Sequence, residues 1–319
     1  MTSATDQLAA PVRPGRSPRT PPARARRSGH RHNRAGYLFL TPWLVGIFGL
    51  TLLPMLYSLY LSFTKFDLLS SPRWTGLDNY REMLTDDPRF MQSVRVTLTY
   101  VAVSVPLKLI FALAVALALN RGLRALGLYR AVFYLPSLLG ASVAVAVMWR
   151  QIFSQDGVLN QFLHLFGVTG PDWIGTPDYS LWTLILLSAW QFGTPMLIFL
   201  AGLKQMPTDV FEAAALDGAR GLRLFFSMTL PLLSPMIFFN VVLETINAFQ
   251  TFTPAFVVSG GSGGPIDSTL LYTLYLYQQG FTSLHMGYAS AMAWVLFLVI
   301  AVFTSIYFAT SRHWVHYGD

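Results

Sequence analysis

Six long apolar stretches follow one another along this chain of 319 residues, and they restrict its fold more than any other feature. The stretches are residues 37–62, 94–119, 131–153, 180–203, 232–258 and 287–310. Each can form a membrane-crossing helix, because roughly 20 residues at about 1.5 Å each cross about 30 Å of hydrocarbon. Lipid offers no partner to unpaired backbone groups, and the chain has no comparable strand pattern. The sequence therefore predicts an all-α integral membrane protein with six transmembrane helices.

The composition agrees with a membrane protein and argues against several kinds of site. Only 12% of the residues are charged, whereas a soluble domain carries about 25%. The absence of Cys excludes disulfides, thiolate zinc sites and Cys nucleophiles. The six His lie in tails and loops without the spacing of metal ligands. We therefore predict no metal site, no cofactor and no enzymatic activity of the chain itself.

The N-terminal segment, residues 1–35, is basic and rich in proline. Eight Arg between Arg13 and Arg34 account for the net charge of +7. With so few large apolar side chains, the segment is predicted to be disordered. A basic tail can bind nucleic acid, but next to a membrane helix we interpret it as a cytosolic anchor beside anionic lipid. The first apolar stretch is longer than the 7–15 residues of a cleaved signal sequence, so we expect it to remain as a helix.

The distribution of Lys and Arg predicts the orientation in the membrane. Fifteen of them lie in the tail, in the 120–130 and 204–231 loops and at Arg312. The loops at the opposite ends of the stretches hold five, all within residues 64–95. Because cytoplasmic loops carry the excess of positive charge, both termini and the 204–231 loop are expected in the cytoplasm.

The 204–231 loop has the signals of a short helix. Thr208 is a suitable N-cap, and residues 209–216 form an Ala-rich helical segment. Gly218 comes where the helix should stop, since Gly accepts the left-handed conformation there. From the residues alone, the element is equally a passive loop on its own bundle or a surface that another protein approaches.

The second half of the same loop predicts another short helix over residues 222–228. Pro231 and Pro235 follow it, and we expect them to bend the chain into the fifth stretch. The loop is then a helix–Gly–helix element at the membrane face.

One motif in this loop resembles a known signature. Glu212-Ala213-Ala214, then Gly218 after three residues and Met228-Thr229-Leu230-Pro231 after nine more, resembles the cytosolic loop of importer permeases in the ATP-binding-cassette superfamily. Only Met228 departs from the usual Ile. The resemblance implies a coupling helix that sits in a cleft of an ATPase subunit. The coupling residues it implies are Glu212, Ala213, Ala214, Asp217, Gly218, Leu230 and Pro231.

The resemblance covers roughly residues 36–310 and extends to the sugar-importer branch of that superfamily. Its segments include "YRAVFYLPSLL" (129–139), "LAGLKQMPTDVFEAAALDGA" (200–219) and "SGGSGGPIDSTLLY" (259–272). Together they are similar to the maltose-permease-like, first-permease type. Two departures are the absence of a large extracytoplasmic insertion and a longer glycine loop.

The resemblance implies a type I importer permease that forms half of a sugar pathway in a bacterial cell membrane. Its implied partners are a second permease subunit in a heterodimer, two ATPase subunits and an extracytoplasmic sugar-binding protein. The "GGSGGP" segment lacks the Gly-Lys-Ser/Thr of a phosphate loop, so the chain is not expected to bind ATP itself. We divide it into the tail and a permease domain, residues 36–319, with a core at 93–310.

Polar side chains in two of the stretches are candidates for the pathway. Four residues of the fifth stretch share one helical face, because they follow the spacing i, i+4, i+7 and i+11. The candidate pathway residues are Trp190, Gln191, Asn240, Glu244, Asn247, Gln250 and Thr251. Intramembrane carboxylates are costly and usually face a bundle interior or a water-filled cavity. The alternative is that these groups hold helices together.

Lys108 lies near the middle of the second stretch, too deep to reach the membrane surface easily. It is expected to pair either with Glu244 or with the second permease. The same two residues support a rival hypothesis, in which a secondary transporter or channel uses them as an ion relay. The lack of inverted-repeat similarity and the coupling-loop motif argue against that rival.

Overall fold

The computed structural model describes residues 39–121, 125–140 and 142–316, and most of this part is helical. The predicted basic tail and Arg124 lie outside the described residues. The helices are α1 (Phe39–Ser62), α2 (Asp78–Thr85), α3 (Pro88–Leu119), α4 (Leu126–Leu139), α5 (Val143–Phe153), α6 (Val158–His164), α7 (Pro177–Trp190), α8 (Gly193–Gln205), α9 (Thr208–Leu216), α10 (Gly221–Phe249), α11 (Thr253–Val258), α12 (Tyr272–Tyr277) and α13 (Met286–Trp314). The all-α prediction is confirmed.

A two-stranded hairpin, a short 3-10 turn and a π-helical turn at Gln278–Thr282 complete the secondary structure of the described ranges. Strands β1 (Thr64–Lys65) and β2 (Arg73–Trp74) are antiparallel, with Thr64 opposite Trp74. The 3-10 turn is Pro265–Asp267. The chain divides into two compact units, Met1–Pro54 and Met55–Asp319. Every site described below belongs to the second unit.

Four helices, α1, α3, α10 and α13, are long and apolar enough to cross a membrane, and two bent pairs raise the number to six. The third and fourth predicted spans are therefore each two helices rather than one. The third breaks after Gly140, where Ser142 caps α5 by accepting a hydrogen bond from the Val145 amide at 3.3 Å. The fourth bends by 40° between α7 and α8. Pro195, in the first turn of α8, has no amide hydrogen to continue α7 through this point.

The fifth predicted span also differs from the structure. The residues of the second helix predicted over 222–228 are helical, but they form the first turns of α10 rather than a separate helix. A π-helical turn at Phe225–Thr229 joins them to the rest, with the Leu230 amide donating to the Phe225 carbonyl. The wide turn accommodates Pro231, which has no amide hydrogen to donate. The span then ends at Phe249, and the predicted end at residue 258 belongs to the separate helix α11.

Helix α3 lies at the centre of the second unit and packs against α7, α8 and α10. Ala112 and Ala116 of α3 are fully buried, which is typical of membrane helices that approach closely at small residues. The Trp149 indole of α5 donates to the Thr183 carbonyl of α7 at 2.9 Å. These contacts fix the helices around a central cavity.

Candidate membrane pathway and coupling segment

A cavity of about 420 Å³ lies between α3, α4, α7, α8 and α10. Its size is in the range of about 300–1,000 Å³ that small-molecule sites occupy. The polar residues of its wall are Tyr100, Lys108, Ser137, Ser188, Gln191, Thr194, Glu244, Asn247, Gln250, Thr251 and Thr253. Five of the seven predicted pathway residues are therefore in the wall, namely Gln191, Glu244, Asn247, Gln250 and Thr251. Hydroxyl and amide groups dominate the polar part of this surface.

Lys108 and Glu244 form an ion pair in the wall of the cavity. The Lys108 Nζ lies 2.7 Å from Glu244 Oε2, and the two side chains are 12% and 9% exposed. The pair connects α3 with α10. Of the two partners expected for Lys108, Glu244 and the second permease, Glu244 is the one that it contacts. Lys108 is the last residue that α3 contributes to the wall, and Glu244 is the first residue that α10 contributes to it. The pair thus lies at the end of the cavity that faces the start of α10.

Asn240, one of the predicted pathway residues, does not line this cavity. It lies one turn before Glu244 on the same face of α10, and the cavity ends at the level of the ion pair. Its side chain is buried, with the residue only 1% exposed. Its Nδ2 has no hydrogen-bond partner among the described residues. Helical periodicity placed Asn240 on the correct face but gave no information about where the cavity ends.

Trp190 is the second predicted pathway residue outside the wall. Its ring packs against that of Trp149 on α5, with 5.9 Å between the ring centroids. The aromatic surface is therefore used in packing α5 against α7. Periodicity could not show this, because the two residues are far apart in the sequence.

The breaks in the third and fourth spans meet at the cavity and exchange hydrogen bonds. The Gln191 side chain donates to the Gly140 carbonyl at 2.9 Å. In return, the Ser137 hydroxyl donates to the Gln191 carbonyl at 2.9 Å and accepts from the Thr194 amide at 3.2 Å. Each break thus supplies the partners that the other break needs, as irregular backbone inside a membrane requires. The sequence identified Gln191 but not this structural use of it.

Gly193 shows how closely the two breaks approach. A Cβ atom added there would lie 2.7 Å from the Phe133 carbonyl oxygen and 2.8 Å from Ser137 Oγ. Only glycine fits between these groups. The close contact with α4 therefore requires a glycine at position 193, directly after the break in the fourth span.

Helix α9 ends as the sequence predicts. Gly218 has φ = +77°, and the Ala219 amide donates to the Ala214 carbonyl at 2.9 Å. This 6→1 hydrogen bond is typical of a helix that stops at a left-handed C′ residue. Thr208, in contrast, is the first residue of the helix rather than the cap before it. Its hydroxyl donates to the Asp209 carboxylate at 3.3 Å.

The surface of α9 and the first turn of α10 combines charged and apolar exposed side chains. Glu212, Ala213 and Asp217 are exposed, whereas Ala214 is buried. Leu216 is 90% and Leu222 76% exposed. In the described part of the chain, Glu212 has no ion-pair partner. The other predicted coupling residues, Leu230 and Pro231, are half-buried within α10.

A hydrogen-bond network at the start of α3 was not predicted. Asp87 caps α3 by accepting from the Phe90 amide at 3.0 Å, and its other oxygen accepts from the Tyr275 and Tyr288 hydroxyls, each at 2.6 Å. Burial raises the pKa of Tyr275, so this hydroxyl stays protonated and can donate. The Asp87-Pro88 pair is a recognisable helix start. Its tyrosine partners are 188 and 201 residues away and leave no local signal.

Arg89 holds the glycine loop beside this network. Its guanidinium makes two hydrogen bonds to Asp267, at 2.7 and 2.8 Å. Asp267 and its neighbour Ile266 have positive φ angles of 55° and 53°. The two-pronged contact therefore holds a backbone conformation that non-glycine residues rarely adopt. Within the described ranges, no three His, Asp or Glu side chains are grouped so that they could hold a metal ion.

The sequence matches the family described as "Binding-protein-dependent transport system inner membrane component" over residues 88–315. The probable ABC transporter permease protein YesP of Bacillus subtilis is 53% identical over 292 residues, which are 91% of this chain and 94% of YesP. The lactose transport system permease protein LacF of Rhizobium radiobacter is 32% identical over 283 residues, 87% of this chain and 94% of LacF.

A solved structure supports the fold. One chain of a bacterial alginate ABC transporter, in complex with an alginate pentasaccharide-bound periplasmic protein, superposes with a TM-score of 0.75. The two chains are 19% identical, and the superposition covers 88% of this chain and 95% of the other. The resemblance inferred from the coupling-loop motif is confirmed. The chain belongs to the family of inner membrane components of binding-protein-dependent transport systems.

Proposed function

We propose that this chain is the permease subunit of an ATP-driven importer of a sugar or oligosaccharide. Family membership and the names of its relatives support this, since they include lactose and trehalose/maltose permeases. In the proposal, the chain pairs with a second permease and supplies half of the pathway. Two ATPase subunits bind on the cytoplasmic side, and an extracytoplasmic binding protein delivers the sugar.

The exposed α9 element is the observation on which the ATPase-coupling role depends. A short helix with an exposed Leu216, next to the exposed Leu222 of α10, and with a Glu212 that has no ion-pair partner among the described residues, is suited to a groove on another protein. The buried Ala214 anchors the other side of the helix to its own chain. In the proposal, Glu212 binds a basic group of the ATPase, and α9 transmits the movement of that subunit.

The cavity supports a polar, uncharged ligand such as a sugar. Sugar hydroxyls need paired donors and acceptors, and Asn247, Gln250 and Thr251 offer both. Tyr100 and Phe252 add aromatic surface to the wall. The Lys108–Glu244 pair has no net charge, so it does not favour an ionic ligand by itself. In the proposal, the second permease completes the pathway.

The decisive test is assembly and coupled ATP hydrolysis in proteoliposomes that contain the partner subunits. Glu212→Lys places a cation where the proposal needs an anion, so we expect loss of ATPase co-purification or of sugar-stimulated hydrolysis. Glu82→Lys is a matched control, because Glu82 is an exposed acid in the separate helix α2. If Glu212→Lys retains both properties at the wild-type level, α9 is not the coupling element.

The proposed topology, with both termini cytoplasmic, has its own test. Cysteine at Ser262, in the glycine loop, should react with an impermeant thiol reagent added outside intact cells. Cysteine at Leu216 should react only after permeabilisation, although Leu216 is 90% exposed. Because the natural chain has no Cys, no background labelling arises from it. The reverse labelling pattern would contradict the proposed orientation.

The rival function, a secondary transporter with an ion relay, is favoured by one observation, the Lys108–Glu244 pair in the cavity wall. It predicts uptake driven by an ion gradient without ATP. Uptake that needs ATP inside the vesicles and is insensitive to collapse of the ion gradient would exclude this alternative.

A further inference from the structure

A second cavity, of about 310 Å³, lies between α4 and α8. Its wall consists of Arg130 from α4 and of Leu197, Leu200, Ala201, Lys204 and Gln205 from α8. It is separate from the central cavity, with which it shares no residue. Along α8, the distance from Leu197 to Lys204 is about 10 Å at 1.5 Å per residue. The cavity therefore has an apolar end toward the middle of α8 and a cationic end toward α9.

Among the described residues, no anion accompanies the two cations of this cavity. The Arg130 Nε is buried and has no hydrogen-bond partner among the described residues. Neither Arg130 nor Lys204 has an acidic partner in the described ranges. A buried donor without a partner is destabilising. Two cations in the wall of one cavity, one of them a guanidinium whose Nε–H has no partner among the described residues, are the groups that bind phosphate oxygens in proteins.

We propose that this cavity binds the headgroup phosphate of an anionic glycerophospholipid. Arg130 and Lys204 contact the phosphate, Gln205 offers an additional hydrogen bond, and an acyl chain begins along Leu197 and Ala201. A free phosphate would use only the cationic end, whereas a lipid uses the whole length of the cavity. Both walls belong to the bent helix pairs that can each count as one membrane span, and basic pockets between membrane helices bind anionic headgroups near the membrane surface.

The position of the cavity connects lipid binding with the rest of the molecule. Lys204 lies in the last turn of α8, and α9 begins only four residues later, at Thr208. The bound lipid therefore holds the end of α8 at the membrane surface next to the exposed α9. This inference goes beyond the proposed importer function and does not depend on it.

The test is lipid binding by the purified full chain, measured by native mass spectrometry. The delipidated chain is titrated with phosphatidylglycerol and, separately, with phosphatidylcholine. Because one basic residue near a membrane contributes about fivefold to the binding of anionic lipid, Arg130→Gln/Lys204→Gln should weaken phosphatidylglycerol binding by about 25-fold. Lys65→Gln/Arg73→Gln removes the same charge from exposed positions of β1 and β2 and should leave binding unchanged.

Three outcomes decide between the alternatives. Arg130→Lys/Lys204→Arg keeps both charges and should retain preferential phosphatidylglycerol binding, which shows that the loss in the Gln variant is due to charge rather than misfolding. Equal phosphatidylglycerol binding by the wild type and the Gln double variant would overturn the proposal. Displacement of phosphatidylglycerol by millimolar inorganic phosphate would also overturn it, since the cavity would then bind a free anion. None of these readouts involves sugar uptake, so failure here is distinguishable from failure of the importer proposal.

Discussion

Removing either member of the Lys108–Glu244 pair should destabilise the protein strongly, whereas removing both should cost much less. Lys108→Met leaves the Glu244 carboxylate without its cation, and Glu244→Gln leaves the ammonium without its anion. The charges are 2.7 Å apart and at most 12% exposed. Removing one partner of a buried ion pair costs about 3–5 kcal/mol. We expect the low end of that range, because both side chains reach the polar cavity.

The double variant separates the charge effect from the packing effect. Lys108→Met/Glu244→Gln has no buried charge, and replacing both members of a buried pair by groups of similar volume is often close to neutral. The sum of the stability losses in the two single variants should therefore exceed the loss in the double variant by about 2 kcal/mol or more. This difference is in the range that double-mutant cycles report for contacting residues. The assay is SDS-induced unfolding of the purified chain followed by tryptophan fluorescence.

A second ion pair in the same molecule serves as the matched control. Arg89 and Asp267 are also 2.7 Å apart, but their side chains are 46% and 26% exposed. Exposed pairs contribute about 0–1 kcal/mol. Because this contact is two-pronged, we expect Arg89→Met and Asp267→Asn to cost about 1 kcal/mol each, the upper end of that range and well below the cost at the buried pair. If the Lys108 and Glu244 variants behave like this exposed pair, or if their single losses simply add, the buried pair does not have the stabilising role inferred from its geometry.

Two further predictions concern glycines. Gly218→Ala should lower the free energy of unfolding by about 1 kcal/mol because of its positive φ alone, since a Cβ there meets no atom within 4 Å. Gly127→Ala in α4 is equally free of contacts and should not destabilise the protein. Equal losses for the two variants in thermal-unfolding measurements would refute the conformational argument. Gly140→Ala brings a Cβ to 2.4 Å from Gln191 Cδ and should lower the free energy of unfolding by about 1–3 kcal/mol. In the Gly140→Ala background, Gln191→Ala should cost less stability than it costs in the wild type, because it also removes the clash. Strict additivity of the two losses in the same unfolding assay would show that the two breaks are not coupled.

Hydropathy identified the apolar segments, which form four long helices and two bent pairs, but it did not identify the breaks within the pairs. A count of apolar residues is insensitive to a helix that stops and starts again inside a span. The signals were present as Gly140 before Ser142 in the third span and Gly193 before Pro195 in the fourth. They are weak locally, because each break is stable only through the hydrogen bonds that the other break supplies. The same limit applies to Pro231, whose effect is absorbed by a π-helical turn.

The candidate pathway was predictable only in part for a similar reason. Periodicity on one helix grouped Glu244 with Asn247, and both line the cavity. The cost of an intramembrane carboxylate was the reason to expect Glu244 to face inward. The end of the cavity depends on Lys108, which belongs to another helix 136 residues earlier. The role of Trp190 depends on its contact with Trp149. Neither partner can be derived from the sequence near the residue it constrains.

The geometry also suggests why the exposed α9 element suits a coupling role. It connects α8 with α10, and both helices reach the central cavity, α8 at Thr194 and α10 at Glu244. Helix α8 has 13 residues and is about 20 Å long. The two helices are packed closely at Gly202, where a Cβ would lie 2.7 Å from Met236 Cγ. A partner that displaces α9 would therefore move α8 and α10 together, and the displacement would reach the ion pair and the paired breaks at the other end.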